Sequence, residues 1–168
     1  MKRLSCGTLL ALMAVLFTAG RCAATTESLT VSATVNSSCA ISSGGGTLSF
    51  GTYDPMVANA STELAQTSSF RMQCSSGTSA AVLLNQGLNP DAASTDAAPI
   101  RYMTNGAARL NYQLYTTAAH TAVWDNVHGG AQVGNGQAQA VTIYGVIPAG
   151  QNVPPGTYTD TVIITLSY

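Results

Sequence analysis

Apolar and polar residues alternate along much of the chain, as they do in β-strands with one buried face. Residues 28–35 (SLTVSATV) place Leu29, Val31, Ala33 and Val35 on one face and hydroxyl side chains on the other. Further alternating or short apolar runs lie at residues 70–74, 80–84, 110–115 and 141–145. Beyond the N-terminal segment we find no 3.6-residue period, so the pattern predicts an all-β fold, an antiparallel β-sandwich.

Glycine and asparagine mark the predicted turns. Asn105-Gly106 follows an apolar run and suits a two-residue hairpin turn, because both residue types tolerate positive φ. Residues 129–136 are rich in glycine and are predicted to form a loop. The most regular alternation lies in residues 156–168 (GTYTDTVIITLSY). Its apolar face consists of Tyr158, Val162, Ile164, Leu166 and Tyr168.

Residues 1–24 have the three parts of a secretory signal peptide. A Lys-Arg pair gives a positive start, residues 9–17 (LLALMAVLF) are continuously apolar, and residues 22–24 (CAA) offer a cleavage site. The apolar run is shorter than the roughly 20 residues that span a bilayer. We therefore expect cleavage after Ala24, export, and a mature protein without a membrane span.

Charged residues make up only 8% of the chain. After removal of residues 1–24, three arginines stand against seven acidic residues, a net charge of −4, and no lysine remains. Nucleic-acid binding is excluded, since it needs clustered Lys and Arg to neutralise phosphates. The missing lysines also bear on the sheet, because edge lysines commonly protect a sheet against the addition of further strands.

Two of the four cysteines, Cys39 and Cys74, lie outside the predicted signal peptide. An even pair in an exported protein favours a disulfide. A zinc site or a redox motif is not supported, because two isolated cysteines lack the partners and the spacing. A disulfide between them stabilises the fold by roughly 4 kcal/mol in the chain-entropy treatment.

Few residues suggest catalysis or ligand binding. His120 and His128 flank Asp125, but their spacing matches no zinc or hydrolase motif. Trp124 has two interpretations, core packing or a platform for a sugar ring. Nucleophile-elbow, metalloprotease and phosphate-loop motifs do not occur in the sequence. We therefore expect no enzymatic activity, no cofactor, and neither a catalytic nor a metal site.

The two ends of the mature chain have complementary patterns. Residues 156–168 form a strand-like segment that has an apolar face but no assigned neighbour. Residues 25–38 precede Cys39 as a detachable arm with its own apolar face. If the arm of one molecule completes the sheet of another, main-chain hydrogen bonds give affinity and apolar side chains fill pockets. Such a contact is head-to-tail and generates an open filament.

The order of motifs along the chain carries a family resemblance. The arm and Cys39 are followed by LSFG at residues 48–51, Cys74, LNYQLY at 110–115, VTIYGVIP at 141–148, and the terminal GTYTDTVIITLSY. In this order the mature chain resembles the spore coat protein U domain family, which includes the archaic, Csu-type chaperone-usher pilins. The terminal G-x-Y-x-D block at residues 156–160 is the most specific part of the resemblance.

The resemblance implies an incomplete immunoglobulin-like sandwich at residues 39–168 that lacks its last strand, preceded by a donor-strand arm at residues 25–38. Cys39 and Cys74 would form the intradomain disulfide. By position, the donor-strand residues are Leu29, Val31, Ala33 and Val35. One wall of the acceptor groove is then formed by Tyr158, Val162, Ile164, Leu166 and Tyr168.

The implied function is that of a secreted pilus shaft subunit that polymerises by donor-strand exchange and supports adhesion and biofilm formation. Its implied partners are a periplasmic chaperone, an outer-membrane usher, and identical or related pilin subunits bound head-to-tail. It would pass through the periplasm to a fibre on the cell surface. Two alternatives are a structural protein of a spore or cell coat, and a monomeric carbohydrate-binding module that uses the loop at residues 116–136.

Overall fold

The computed structural model describes residues 24–43 and 46–168. Residues 1–23 of the predicted signal peptide lie outside the described residues. The chain divides into two units, Met1–Thr34 and Val35–Tyr168. In the first unit, residues 24–34 form neither helix nor strand, and Leu29 and Val31 are 87% and 83% exposed. The half-buried strand expected at residues 28–35 is thus not formed within one chain. An extended segment becomes a stable strand only when neighbouring strands pair with it.

The second unit, where the structure describes it, contains β-strands and no helix, which confirms the all-β prediction. The strands are β1 Cys39–Ser43, β2 Leu64–Cys74, β3 Ser79–Leu84, β4 Arg101–Asn105, β5 Ala108–Tyr115, β6 Gly130–Val133, β7 Ala138–Ile147 and β8 Ile164–Ser167. No helix in the described part of the chain is long and apolar enough to cross a membrane.

The strands form two antiparallel sheets that enclose one hydrophobic core. The larger sheet has the order β1-β2-β7-β5-β4 and the smaller one β6-β3-β8. As the alternation predicts, every second residue is buried in β3 and in residues 70–74 of β2, 110–114 of β5 and 141–145 of β7. The buried apolar side chains include Phe70, Met72, Val82, Leu84, Leu110, Tyr112, Leu114, Val141 and Ile143.

The predicted hairpin between β4 and β5 exists, but its turn lies one residue further along. Asn105 pairs with Ala108, so the two turn residues are Gly106 and Ala107 rather than Asn105 and Gly106. Gly106 has a φ of +59°, which suits the first position of a tight hairpin turn. Asn105 remains in the strand.

The predicted loop at residues 129–136 contains a strand. β6 pairs with β3 from Ser79↔Val133 to Val82↔Gly130. The glycines of this segment meet neighbouring groups: a side chain at Gly130 would contact the Trp124 ring, and one at Gly134 would contact Ser75. Glycine at these two positions therefore leaves room for Trp124 and Ser75. Composition alone does not show these contacts and predicts a loop.

The strand predicted at residues 156–168 is shorter in the structure. Only β8 forms a ladder, with β3, from Ala81↔Ser167 to Leu84↔Ile164. Before it, Thr159 forms an isolated bridge with Thr104 at the end of β4. The segment therefore contacts the edge strand of the larger sheet before it joins the smaller one.

Candidate functional site

An apolar groove of about 980 Å³ runs between the two sheets. One side is lined by inward-facing residues of the larger sheet: Phe70, Leu110, Tyr112, Leu114, Ile143 and Ile147. Leu84, Val162 and Ile164 line it from the side of the smaller sheet, and its rim includes the exposed Met56. Because most of its apolar lining residues belong to the hydrophobic core or pack against it, the groove is a part of the core that is open to solvent.

The backbone of β8 provides an unpaired edge beside this groove. The carbonyl of Ile163 accepts a hydrogen bond from the Asn85 backbone N–H at 3.2 Å, which shows that residue 163 points its polar groups towards β3. Polar groups of successive strand residues point to opposite edges, so Ile164 and Leu166 direct theirs away from β3. Among the described strands, only β3 pairs with β8. This edge can accept a further strand.

The opposite wall of the groove is the extended segment at residues 46–53. Leu48 and Phe50 pack over Gly145 of β7, where a side chain would come within 2.8 Å of Leu48 and 2.9 Å of Phe50. The Phe50 ring meets Tyr112 edge-on, with 6.3 Å between the ring centres. At the end of the segment the Tyr53 hydroxyl donates to the carbonyl of Pro148 at 2.8 Å. Packing contacts and a hydrogen bond thus fix Leu48, Phe50 and Tyr53 at this wall of the groove.

Asp160 is the one charged residue among the described residues that line the groove. Its Oδ2 accepts a hydrogen bond from the Tyr112 hydroxyl at 2.6 Å. Its Oδ1 accepts from the Leu88 backbone at 3.0 Å and from the Asn89 side chain at 2.9 Å. Burial, together with the hydrogen bond to Asp160, raises the pKa of Tyr112 above its usual range, so Tyr112 stays protonated and donates.

The predicted acceptor residues lie in different surroundings. Tyr158, Val162 and Ile164 line the groove. Leu166 packs against the core from β8, outside the groove lining, and Tyr168 is 59% exposed. The predicted donor residues Leu29, Val31, Ala33 and Val35 are all exposed.

The sequence assigns no role to Asp160, which lines the groove, or to Gly145, which lies against Leu48 and Phe50 of the groove wall. A signal for Asp160 was present, since it shares the spacing of the apolar face of residues 158–168. Gly145 also falls on the apolar parity of β7, and a glycine there indicates a close approach by another part of the chain.

Cys39 and Cys74 form a disulfide in the structure, with the two residues directly opposite each other in the β1–β2 ladder. Just before it, the carbonyl of Ser38 accepts a hydrogen bond from the Ser75 backbone N–H at 2.9 Å. The Ser38 backbone N–H donates to the Ser75 hydroxyl, also at 2.9 Å. The first residues of the sandwich are therefore fixed to β2 and the residue that follows it.

The two histidines make separate contacts. His120 lies 3.2 Å from Glu63, and His128 lies 2.7 Å from Asp125. Within the described residues, no three His, Cys, Asp or Glu side chains form a group able to hold a metal ion. Trp124 is 2% exposed and donates from its ring to the carbonyl of Val82 at 2.6 Å. It is a core residue, so its ring face is not available to a sugar.

Comparison with known proteins relates most of the chain to one family. The family model of the Spore Coat Protein U domain matches residues 25–165. The chain belongs to the spore coat protein U domain family. Protein U of Myxococcus xanthus is 42% identical to this chain over 162 residues, which cover 92% of this chain and 90% of that protein.

Two solved structures with a similar fold come from pilus systems. One is a chain of the CsuC-CsuE chaperone-tip adhesion subunit pre-assembly complex from the archaic chaperone-usher Csu pili of Acinetobacter baumannii. Its TM-score is 0.55 and its identity 21%, and the match covers 80% of this chain and 40% of that chain. The P pilus rod subunit PapA has a TM-score of 0.57 and an identity of 15%, with coverage of 77% and 98%. These likenesses confirm the fold, an incomplete immunoglobulin-like sandwich.

Proposed function

We propose that this protein is a structural fibre subunit that polymerises by donor-strand exchange. The supporting observation is the apolar groove beside β8, which combines open core side chains with an unpaired backbone edge. In this proposal the groove of one subunit receives residues 25–35 of another. The fibre leaves the cell through a chaperone-usher pathway and supports adhesion and biofilm formation at the cell surface.

The chemistry of the arm fits this groove. An added strand supplies main-chain hydrogen bonds along its whole length and places alternate side chains in pockets. Full burial of a Leu or Val side chain contributes about 1.5–3 kcal/mol. Leu29, Val31 and Val35 are each more than four-fifths exposed in the single chain, so nearly all of that contribution is available on binding.

The same geometry accounts for the proposed partners. An open core and a bare strand edge expose a subunit to aggregation before assembly. A periplasmic chaperone that lends a strand protects the groove, and an outer-membrane usher is where the next arm replaces that strand. The arm and the groove are different surfaces, so the contact repeats head-to-tail without closing. Such repetition produces a fibre of identical or related subunits.

A coat layer is the second candidate, and the description of the matched family favours it. A layer built from the same domain could use the same strand exchange. Electron microscopy of cells labelled with an antibody against this protein separates the two candidates. Thin fibres that extend from the surface support the pilus proposal, and a continuous layer supports the coat.

Deletion of residues 25–35 tests strand exchange. The shortened subunit retains the groove and the disulfide, so we expect it to bind a chaperone and to remain unpolymerised. Size-exclusion chromatography and electron microscopy of the secreted protein measure the result. Fibres of normal length from the deleted subunit would contradict the proposal.

A matched pair of point variants tests the inward face of the arm without shortening it. Ala33→Asp places a charge on the apolar face, where an unpaired buried charge costs several kcal/mol. Ser32→Asp adds the same charge to the other face. We expect the first variant to stop polymerisation and the second to assemble. Equal assembly of both variants would show that the apolar face of the arm does not enter a groove.

A further inference from the structure

The groove lining indicates which residues of the C-terminal segment lie opposite a donor strand, an inference that goes beyond strand exchange itself and rests on the proposed function. In the C-terminal segment at residues 156–168, the even-numbered residues share one face, which carries Tyr158, Val162 and Ile164. Those that line the groove are Gly156, Tyr158, Asp160, Val162 and Ile164, whereas Leu166 and Tyr168 lie outside its lining. The apolar face of the arm has four positions: Leu29, Val31, Ala33 and Val35.

The orientation of the added strand follows from the sheets. Every ladder between the described strands is antiparallel, and antiparallel pairing is slightly more stable per residue than parallel pairing. In an antiparallel pair, residues directly opposite each other point to the same face. The apolar arm residues therefore lie opposite the groove-lining residues, in reverse order.

We propose that the donor strand binds in the single register that places Ala33 opposite Asp160. The other facing pairs are Leu29 with Ile164, Val31 with Val162, and Val35 with Tyr158. A shift by two residues towards Tyr168 places Leu29 opposite Leu166, beyond the groove lining. A shift in either direction moves a larger side chain, that of Val31 or Val35, opposite Asp160.

Asp160 makes this register selective, because its carboxylate must keep its hydrogen bonds. Tyr112, Leu88 and Asn89 already donate to it. The methyl group of Ala33 leaves these bonds in place. A branched side chain at the same position would press against the carboxylate and bury it further, and a buried carboxylate is costly to desolvate. Asp160 is thus a specificity-determining residue for the donor strand.

The charged residue of the arm is consistent with this register. Glu27 then lies opposite Leu166, outside the groove lining, where its carboxylate stays in water. A shift by two residues that places Val35 opposite Gly156 would bring Glu27 opposite Ile164, within the lining. The register therefore keeps the apolar residues in the groove and the charge outside it.

Cysteine pairs between successive subunits test the register. Ser32 and Thr161 are exposed, face outward, and lie opposite each other in a pair without backbone hydrogen bonds, for which Cα atoms are about 4.5 Å apart. A disulfide needs a Cα separation of about 4.4–6.8 Å. A shift of two residues adds about 6.8 Å along the strand, beyond that reach. Matched control pairs combine Ser32→Cys with Thr159→Cys or with Ile163→Cys.

Fibres of each double variant are oxidised and separated on non-reducing gels. We expect Ser32→Cys with Thr161→Cys to give about tenfold more covalent multimer than either control pair. If a control pair links best, the register is wrong but strand exchange stands. If fibres form and no pair links, the arm does not lie along residues 158–164. If the protein without the introduced cysteines forms no fibres either, the proposed function itself fails.

A size test addresses Asp160 separately. Ala33→Leu enlarges the side chain opposite the carboxylate, and Val31→Leu makes a similar enlargement opposite Val162. We expect Ala33→Leu to slow fibre growth about tenfold and Val31→Leu to change it less than about twofold. Equal effects of the two variants would remove Asp160 as the residue that selects the register.

Discussion

Arg101 carries a positive charge into the interior of the sandwich, where its side chain is fully buried. Its guanidinium donates hydrogen bonds to the backbone carbonyls of Leu84, Asn85 and Trp124 and to the side chain of Gln113. Burial lowers the pKa of Arg101 to about 10, so the group remains charged at neutral pH. These bonds tie the end of β3 to β5 and thereby hold Leu84 at the groove.

Asp125 gives a prediction about pH. Burial alone would raise its pKa, but hydrogen bonds from His128, Val127 and Gly129 lower it to about 2. A carboxylate with a lowered folded-state pKa stabilises the fold above its usual value of 3.8, and this contribution is lost as the pH falls towards 2. We expect Asp125→Asn to lower the free energy of unfolding at pH 7 by roughly 2 kcal/mol.

Urea unfolding of the wild type and of Asp125→Asn between pH 7 and pH 2 measures this contribution. The difference between the two proteins should hold above about pH 5 and shrink below pH 4. A difference that stays constant down to pH 2 would mean that the variant disturbs packing rather than a charge. Asp96→Asn is the control, because it changes an exposed carboxylate that accepts a single side-chain hydrogen bond, from Gln86.

The roles of Arg101 and Asp160 could not be predicted from the sequence, for a physical reason. Arginine is rarely buried without a partner charge. Arg101 is held mainly by carbonyl groups, whose positions exist only after three separate segments have packed together. Asp160 shares a parity with apolar residues, and such a pattern does not show that Tyr112 would lie beside it. The residue type indicates that a buried side chain needs hydrogen-bonding partners. Tertiary packing determines which groups become those partners.

At the scale of elements, alternation predicted the central strands because burial of one face fixes their register. It did not predict β6, whose Gly and Ala residues have weak strand propensity and pair only because β3 lies beside them. It also gave too long a strand at residues 156–168. There, a bridge to Thr104 holds Thr159 next to the larger sheet, and the ladder begins only at β8.

The contact of β7 with the extended segment at residues 46–53 gives a prediction at this scale. Gly145→Ala would normally favour a strand, since alanine loses less backbone freedom than glycine. Here the new methyl group comes within 3.0 Å of Leu48 and Phe50. We expect overpacking to prevail and to cost about 1–3 kcal/mol, measured as a lower melting temperature.

Leu48→Ala in the same chain is the informative control for Gly145→Ala. If the clash is the cause, the double variant loses less stability than the two single variants together. Additive losses would show that the glycine is needed for another reason.

At the scale of the whole molecule, the predicted mature chain combines an absence of lysine with an open core edge. The sequence permitted a prediction of the arm, the disulfide and the sandwich, because each depends on local pattern or residue type. The groove itself could not be predicted in this way. Its lining comes from both sheets and from the segment at residues 46–53, and only the packed structure shows which inward residues remain uncovered.

A single chain that carries its own donor strand should be a stable monomer. The variant lacks residues 25–35 at its N-terminus and continues after Tyr168 with an Asn-Gly dipeptide and a copy of residues 25–35. A two-residue turn places its flanking residues directly opposite each other, so Thr25 faces Tyr168 and Ala33 faces Asp160. Filling the groove should raise the melting temperature by on the order of 10 °C relative to the arm-deleted subunit.

One extra glycine in the turn provides the matched control. It shifts the added strand by one residue and therefore directs Thr30, Ser32 and Thr34 into the groove instead of the apolar residues. Calorimetry and analytical ultracentrifugation then compare two chains that differ by that residue alone. Because the groove is apolar and its register is set by side chains, only the two-residue turn should give a stabilised monomer. Equal melting temperatures would mean that the groove recognises a strand backbone without regard to its sequence.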